Sequence, residues 1–284
     1  MSNFAMNTPT LTLSDGAEIP QIGLGTWELR GEEAYRVVRD AVEVGYRLID
    51  TATLYNNEAE VGRAINDAIK AGDVTRDDVV VTSKVWDSDH GADSTKKAFQ
   101  QTLSLMQLDY LDVYLIHSPV PGSNVETFEA MAQLQGLGSI QSIGVSNFYP
   151  SVLEELIDKT GIVPAINQVE LHPGFSQAEL RKLHQKLGIV TQAWAPFGGG
   201  DFFNHPVILE VARRHKVASS VIILSWMVAI GCVAIPKTAQ KERLLLNLKV
   251  HDFRLSDDDV SKITAIDNES GAGRKFWDPK PVGR

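Results

Sequence analysis

The 284-residue chain has a single cysteine, Cys232, so it cannot close a disulfide within itself. Cys232 stands in an apolar stretch, Ala229 to Ile235. There it reads as a buried structural thiol rather than a nucleophile, and such sparse use of cysteine fits a reducing compartment. Positive charge is in deficit: 27 Lys and Arg face 36 Asp and Glu, for a net charge of −9. A nucleic-acid surface would show a basic stripe, so that class is disfavoured, though one basic pocket is still compatible. Long hydrophobic runs are missing as well. The most apolar stretch, Val221 to Ile235, is interrupted by Ser225 and Gly231 and falls short of the ~20 residues of a membrane span. It reads as a buried helix, a glycine turn and a buried strand. The first residues have no basic segment followed by an apolar one, which argues against a secretory signal. The expected setting is cytoplasmic, with no membrane or nucleic-acid partner. A GxGxxG motif is absent too, because Glu28 stands where Gly23 and Gly25 would require the third glycine. A Rossmann nicotinamide site is therefore not supported.

What is present is ordinary globular material, 43% hydrophobic and 22% charged, enough for a sizeable core. Two short alternating runs flank Asp15-Gly16, a hairpin signal. A strand-then-helix rhythm follows. Strands are expected at 23–27, 46–50, 79–84, 112–117, 142–146, 165–170, 190–195 and 233–235. Helices are expected near 32–44, 58–70, 94–105, 125–137, 151–159, 177–187, 206–214 and 219–229, with another beginning near Gln240. Eight alternations predict an α/β chain closed into a (β/α)8 TIM barrel. The hairpin, about 10–21, would plug the bottom of a barrel spanning about 22–250. An extra helix after Ser256, whose serine precedes three aspartates as a helix cap would, and a tail complete the chain over about 255–284. No interior linker divides it, so residues 1–284 read as one domain.

Three strand-like runs end in ionisable residues: Asp50, Lys84 and His117. Tyr55 follows the first by five positions. Parallel strands of a barrel deliver such residues to the C-terminal rim. A tyrosine has an ordinary pKa of about 10 and gives up its proton reluctantly at neutral pH. A nearby ammonium favours the phenolate, a carboxylate keeps that ammonium charged, and a histidine can hydrogen-bond the reacting oxygen. The four together suit protonation of an oxygen gaining negative charge, as in a carbonyl receiving hydride. Singly, each has a plainer reading as a helix cap, a rim charge, a loop aromatic or a strand terminus. Two other classes are open at this point. One is a cofactor-binding regulatory barrel without turnover, which has no need of all four residues. The other is a metal-dependent barrel hydrolase, suggested by Glu170 and His172 but lacking a His-x-His on strand one.

The runs Gly23-Leu-Gly-Thr-Trp27, Gly45-Tyr-Arg-Leu-Ile-Asp-Thr-Ala52, Tyr55-Asn-Asn-Glu58, Thr82-Ser-Lys84, Tyr114-Leu-Ile-His117, Gly144-Val-Ser-Asn-Phe148, Asn167-Gln-Val-Glu-Leu-His-Pro173 and Ile235-Pro-Lys-Thr238 resemble the aldo-keto reductase family. They do so in the family's order, over roughly Leu11 to Asp267. The bacterial 2,5-diketo-D-gluconate reductase branch is the most similar. The resemblance implies a monomeric, metal-free barrel that reduces small aldehydes and ketones with NADPH. It makes Tyr55 the general acid, tuned by Lys84 and Asp50, and gives His117 the task of orienting the carbonyl. Ser146, Asn147 and Gln168 match the holders of the nicotinamide carboxamide, and Trp194 matches the ring that stacks on the nicotinamide. Gly25, Thr26, Trp27 and Asp50 border the same cleft, as do Ala195, Pro196, Phe197 and Gly198 beyond strand seven. Lys237, Thr238 and Arg243 match the 2′-phosphate pocket, a lysine, hydroxyl and arginine set that suits a phosphate, and Pro236 and Ala239 beside them are expected to border the cofactor. Asn247 continues towards the adenine.

The sequence departs from the family at four places. Ser118 replaces a usual tryptophan. Ala195 and Phe197 replace a usual serine and leucine. Leu246 stands where an adenine-binding Glu or Gln is common. Ala239 and Gln240 replace a more usual Val and Thr or Arg. NADPH is expected ahead of NADH. The substrate wall is expected to comprise Trp27, Tyr55, Trp86, His117, Ser118, Phe148 and Trp277. That wall suits small or medium carbonyl compounds such as keto-sugar acids, α-keto esters or reactive aldehydes.

Overall fold

A computed structural model of the protein describes residues 9–279. An antiparallel hairpin of β1 (Thr10–Thr12) and β2 (Glu18–Pro20) opens the chain, with Leu11 opposite Ile19. The parallel strands are β3 (Leu24–Gly25), β4 (Leu48–Asp50), β5 (Val80–Val85), β6 (Leu111–Ile116), β7 (Ile140–Ser146), β8 (Ile166–Glu170), β9 (Val190–Trp194) and β10 (Val233–Ala234). They pair in chain order. The ring closes between β3 and β10 through a parallel bridge of Ile22 with Ala234 and the hydrogen bond from Gly23 N to Ala234 O. This is the expected eight-stranded barrel.

The helices are α1 (Gly31–Val44), α2 (Glu58–Ala71), α3 (Ala92–Met106), α4 (Asn124–Gly136), α5 (Pro150–Thr160), α6 (Ala178–Leu187), α7 (Pro206–His215), α8 (Ser219–Ala229), α9 (Lys241–Leu248) and α10 (Asp257–Thr264). Their apolar residues recur at helical spacing. In α1 the buried set is Ala34, Val37, Val38, Ala41 and Val42, a stripe facing the barrel. Gly45 ends that helix in the left-handed region, at φ 114°, and its N–H returns to the carbonyls of Ala41 and Val42, a stop that suits glycine. The Val221 to Ile235 stretch resolves into α8, the turn at Gly231 and β10. The serine before α10 caps it as expected: Ser256 accepts from Asp259 N.

Apolar burial occurs in two places. One cluster lies between barrel and helices and includes Phe99, Phe128 and Trp226. The other fills the lower barrel, where Leu13 and Ile19 of the hairpin meet Leu48, Val80, Val113, Ala165 and Val233. The hairpin is thus the plug the sequence predicts. Among the described residues the upper barrel is lined by polar side chains, including Asp50, Lys84, Gln168 and Gln192.

A buried histidine ties α6 to the sheet. His184 Nε2 lies 3.0 Å from Asn167 Nδ2, and its Nδ1 lies 2.8 Å from Thr191 Oγ1. The Asn167 amide is a donor, so Nε2 accepts and Nδ1–H donates, which fixes the neutral ring. Burial pushes its pKa down to about 4. The folded value lies below the unfolded one of about 6.5, so acid protonates the unfolded chain first. This contribution to stability is full above pH 6.5 and is lost as pH falls towards 4. His184→Gln is expected to lose about 2 kcal/mol less stability than wild type between pH 7 and pH 5. Urea unfolding at the two pH values checks this, and equal losses would remove His184 from the account.

Candidate active site

Strand ends converge at the upper rim. Asp50 closes β4, Lys84 sits one residue before the end of β5, and His117 follows β6 directly. The Lys84 side chain is 0% exposed. Its ammonium has three protons to give and three acceptors around it: Asp50 Oδ1 at 2.6 Å, the Thr51 carbonyl at 2.8 Å and Tyr55 Oη at 3.4 Å. Burial works against that charge, but Asp50 and Tyr55 outweigh it and hold the Lys84 pKa above the usual lysine range. On its other side Asp50 accepts a 2.7 Å bond from Gln168 Nε2, which also donates to Gln192 Oε1 at 2.7 Å. The chain of polar contacts therefore crosses the barrel.

Tyr55 is not on a strand. It ends a short 3-10 turn, Thr53–Tyr55, whose Thr53 hydroxyl donates to Lys84 O. Asn57 holds the loop from behind. It donates to the Thr26 and Leu29 carbonyls, both at 2.9 Å, and accepts from the Thr51 hydroxyl at 2.6 Å. Burial raises the Tyr55 pKa, against the lowering effect of the Lys84 ammonium, so the phenol is protonated at rest. His117 turns its ring edge-on to Tyr55 and to Trp86, with centroids 5.7 and 5.0 Å apart. Burial, with Lys84 in support, holds its pKa well below the usual histidine value. A neutral imidazole therefore faces the tyrosine.

The second polar patch adjoins the first. Ser146 Oγ donates to Gln168 O at 2.8 Å. Asn147 Nδ2 donates to His117 O at 3.0 Å, and its Oδ1 accepts from Trp194 Nε1 at 3.0 Å. Asn147 and Ala195 sit in the left-handed region at φ 65° and 48°, a conformation non-glycine residues adopt at a cost and which clusters at functional sites. Gly25 lies against Ile235 O. Thr26 is buried and donates to Asp50 O, while Pro196, Gly198 and Pro236 are also buried and Phe197 partly so. At the start of α9, Lys237 and Arg243 are exposed, Thr238 is buried and Ala239 lies between. Among the described residues neither Lys237 nor Arg243 has a carboxylate partner. Free cations of this kind beside a hydroxyl match an anionic ligand.

Several expected site residues are placed differently. Phe148 is 1% exposed and belongs to the core cluster between barrel and helices. Ser118 is buried and donates to Asp87 Oδ1 at 3.1 Å, in the turn just beyond β5. Asn247 is buried, on the helix whose Leu244 carbonyl accepts from the Tyr46 hydroxyl at 3.2 Å. Trp277 is 61% exposed, and among the described residues its ring makes no aromatic contact with Tyr55, His117 or Trp86. Trp27, 45% exposed, does reach Tyr55 edge-on at 4.9 Å. Glu170 and His172, the pair that hinted at a metal, bond each other, and Glu170 also accepts from Arg274 Nη1 of the tail at 3.0 Å. Sequence reasoning passed over Gln192, Thr51 and Asn57 as parts of the site. Thr51 and Asn57 lie inside the Gly45–Ala52 and Tyr55–Glu58 runs that resemble the family, whereas Gln192 has no such signal.

The chain matches the model of the aldo/keto reductase family over residues 21–268. It is 46% identical to an aldo-keto reductase of Mycolicibacterium smegmatis, over 94% of this chain and 96% of that protein. It is 40% identical to glyoxal reductase of Bacillus subtilis, over 93% of this chain and 95% of that protein. Among solved structures it is similar to a Gox0644 mutant in complex with NADPH, at 38% identity and a TM-score of 0.91, covering 98% of this chain and 99% of that one.

Removing Lys84 alone would strand a buried carboxylate. Lys84→Met is expected to destabilise the fold by about 3–5 kcal/mol, and the double variant Asp50→Leu/Lys84→Met by clearly less. Urea unfolding of both variants checks this, and equal or additive losses would contradict it.

Proposed function

The chain belongs to the aldo/keto reductase family, and from that premise we propose that it is an NADPH-dependent oxidoreductase that reduces carbonyl groups to alcohols with Tyr55 as proton donor. The observation that carries this reading is the saturated ammonium of Lys84, bonded to both Asp50 and Tyr55, with Lys84 and Asp50 themselves buried. A general acid must hold its proton at rest and tolerate the anion it becomes. Burial meets the first need, and the ammonium at 3.4 Å meets the second. Neutral His117, edge-on to Tyr55, can donate a hydrogen bond to the carbonyl oxygen without competing as an acid. That bond fixes the oxygen near the phenol, where the developing charge meets two donors.

The donor set fits NADPH. Lys237, Thr238 and Arg243 would take the 2′-phosphate, while Ser146, Asn147 and Gln168 would take the carboxamide beside the Trp194 ring. When bound, the reduced nicotinamide supplies the hydride. The protein's part is to hold the carbonyl between Tyr55 and His117 and to screen it from water with Trp27 and Trp86. The substrate class we favour is a small activated carbonyl, flanked by a second oxygenated carbon. The resemblance to the 2,5-diketo-D-gluconate reductase branch and the similarity to a glyoxal reductase meet on that chemistry. The chain is proposed to act as a monomer.

With NADPH and a panel of glyoxal, methylglyoxal and keto-sugar acids, the purified protein is expected to deplete the nicotinamide absorbance. Tyr55→Phe is expected to lower kcat by about 10²- to 10⁴-fold while NADPH still binds, as followed by fluorescence titration. No depletion with any carbonyl, or full turnover by the variant, overturns the reading. Arg243→Ala is expected to raise KM for NADPH by about tenfold or more, the scale of a lost charge-assisted hydrogen bond, with KM for NADH nearly unchanged. Equal effects on both cofactors would remove Arg243 from the 2′-phosphate pocket.

A further inference from the structure

The tail beyond α10 is strapped across the rim by one buried carboxylate. Glu170, at the end of β8, is 0% exposed at its side chain. Its Oε2 accepts from Arg274 Nη1 at 3.0 Å. Its Oε1 accepts from the backbone N–H of Lys275 at 2.6 Å and of Phe276 at 3.3 Å. His172 Nε2 lies 3.0 Å from that same oxygen. Arg274 is itself largely enclosed. It donates to the Tyr149 hydroxyl at 3.2 Å and lies over the Phe175 ring at 5.0 Å. Upstream, Gly273 N donates to Gly174 O at 2.7 Å.

The strap ends on the elements proposed to hold the cofactor. The Phe276 ring meets Trp194 edge-on, centroids 5.7 Å apart, and a side chain built on Gly199 would touch it at 3.8 Å. Lys275 Nζ pairs with Asp201 Oδ2 at 3.1 Å, just past the glycine run. Trp194 is thus held on two sides, by Asn147 at its indole nitrogen and by Phe276 at its ring. A buried carboxylate that accepts from two consecutive backbone N–H groups and a guanidinium is an expensive arrangement for a mere surface tail. It fixes the direction in which residue 276 leaves the strap.

We propose that Glu170 and Arg274 are positioning residues for the cofactor. They lock the tail so that Phe276 backs Trp194 and Lys275 ties the loop at Asp201, and this preset geometry raises affinity for NADPH. The inference rests on the function proposed above. Preorganisation of this kind contributes to affinity because the ring and loop are ordered before the ligand arrives.

The test combines NADPH fluorescence titration with hydrogen exchange at the amides of Lys275 and Phe276. In wild type those amides are expected to exchange slowly. Arg274→Ala is expected to release them and to weaken NADPH binding, with added guanidinium ion restoring both. Phe276→Ala, at an exposed position where folding is not at stake, is expected to weaken NADPH binding by about three- to tenfold, the scale of an edge-on aromatic contact. In that variant KM for methylglyoxal at saturating NADPH stays unchanged. Released amides with unchanged NADPH affinity overturn the proposal, as do fast amides in wild type. A Phe276→Ala variant that changes only the methylglyoxal KM also overturns it, because the tail would then act on substrate. A wild type that binds no NADPH overturns the proposed function and this role together, whereas failure of the variants alone overturns only the strap.

Discussion

An ammonium enclosed by protein has to be satisfied proton by proton, and the site follows from that requirement. Burying a single ion costs several kcal/mol even after relaxation. Lys84 meets the cost with Asp50, the Thr51 carbonyl and Tyr55. Each acceptor sets a demand on the chain. Asp50 must stand opposite Thr82 in the β4–β5 register, which brings its carboxylate beside the lysine two residues on. The Thr51 carbonyl must turn inward as the strand ends. Tyr55 must return from a loop, and so Asn57 fastens that loop to Thr26 and Leu29.

The same demand explains why the barrel interior is divided along its axis. The lower half is apolar and sealed by Leu13 and Ile19, so water has little reason to enter from below. The upper half contains Asp50, Lys84, Gln168 and Gln192, a hydrogen-bonded line from one wall to the other. In a low-dielectric surrounding such a line is stronger than in water, and an unpaired member costs more. The hairpin plug and the polar network are therefore complementary. One excludes water, and the other makes dry charge tolerable. Glu58 extends the pattern outside the barrel: burial raises its pKa, and the Ser83 and Thr102 hydroxyls answer it.

Much of this was legible in the sequence because strands and helices have different periods. The eight alternations, the hairpin at Asp15-Gly16 and the Ser256 cap all rest on local pattern, and all appear where expected. Ionisable residues at strand ends pointed to one rim because parallel strands share a direction. What was not legible depends on where a side chain turns. Phe148, Ser118 and Asn247 lie close in sequence to site residues, yet all three are buried, and Ser118 bonds to Asp87. Gln192 read as an ordinary strand residue, since nothing local shows that Gln168 reaches it. The Glu170–Arg274 contact joins residues more than a hundred positions apart, and only the closed barrel brings them together.

The role proposed for Tyr55 then has a physical basis. A phenol in water beside a lysine would feel little of that charge, because solvent screens it. A phenol buried without a cation would hold its proton and have no way to part with it. In this rim burial raises the tyrosine and Lys84 opposes it, so the proton stays at rest while the anion is already provided for. The negative charge of Asp50 adds to the rise in the Tyr55 pKa and offsets part of the ammonium's stabilisation of the phenolate, so the phenol keeps its proton. Neither residue could do this from the surface, where solvent would screen both effects. The chemistry therefore depends on the depth of the pair as much as on its identity.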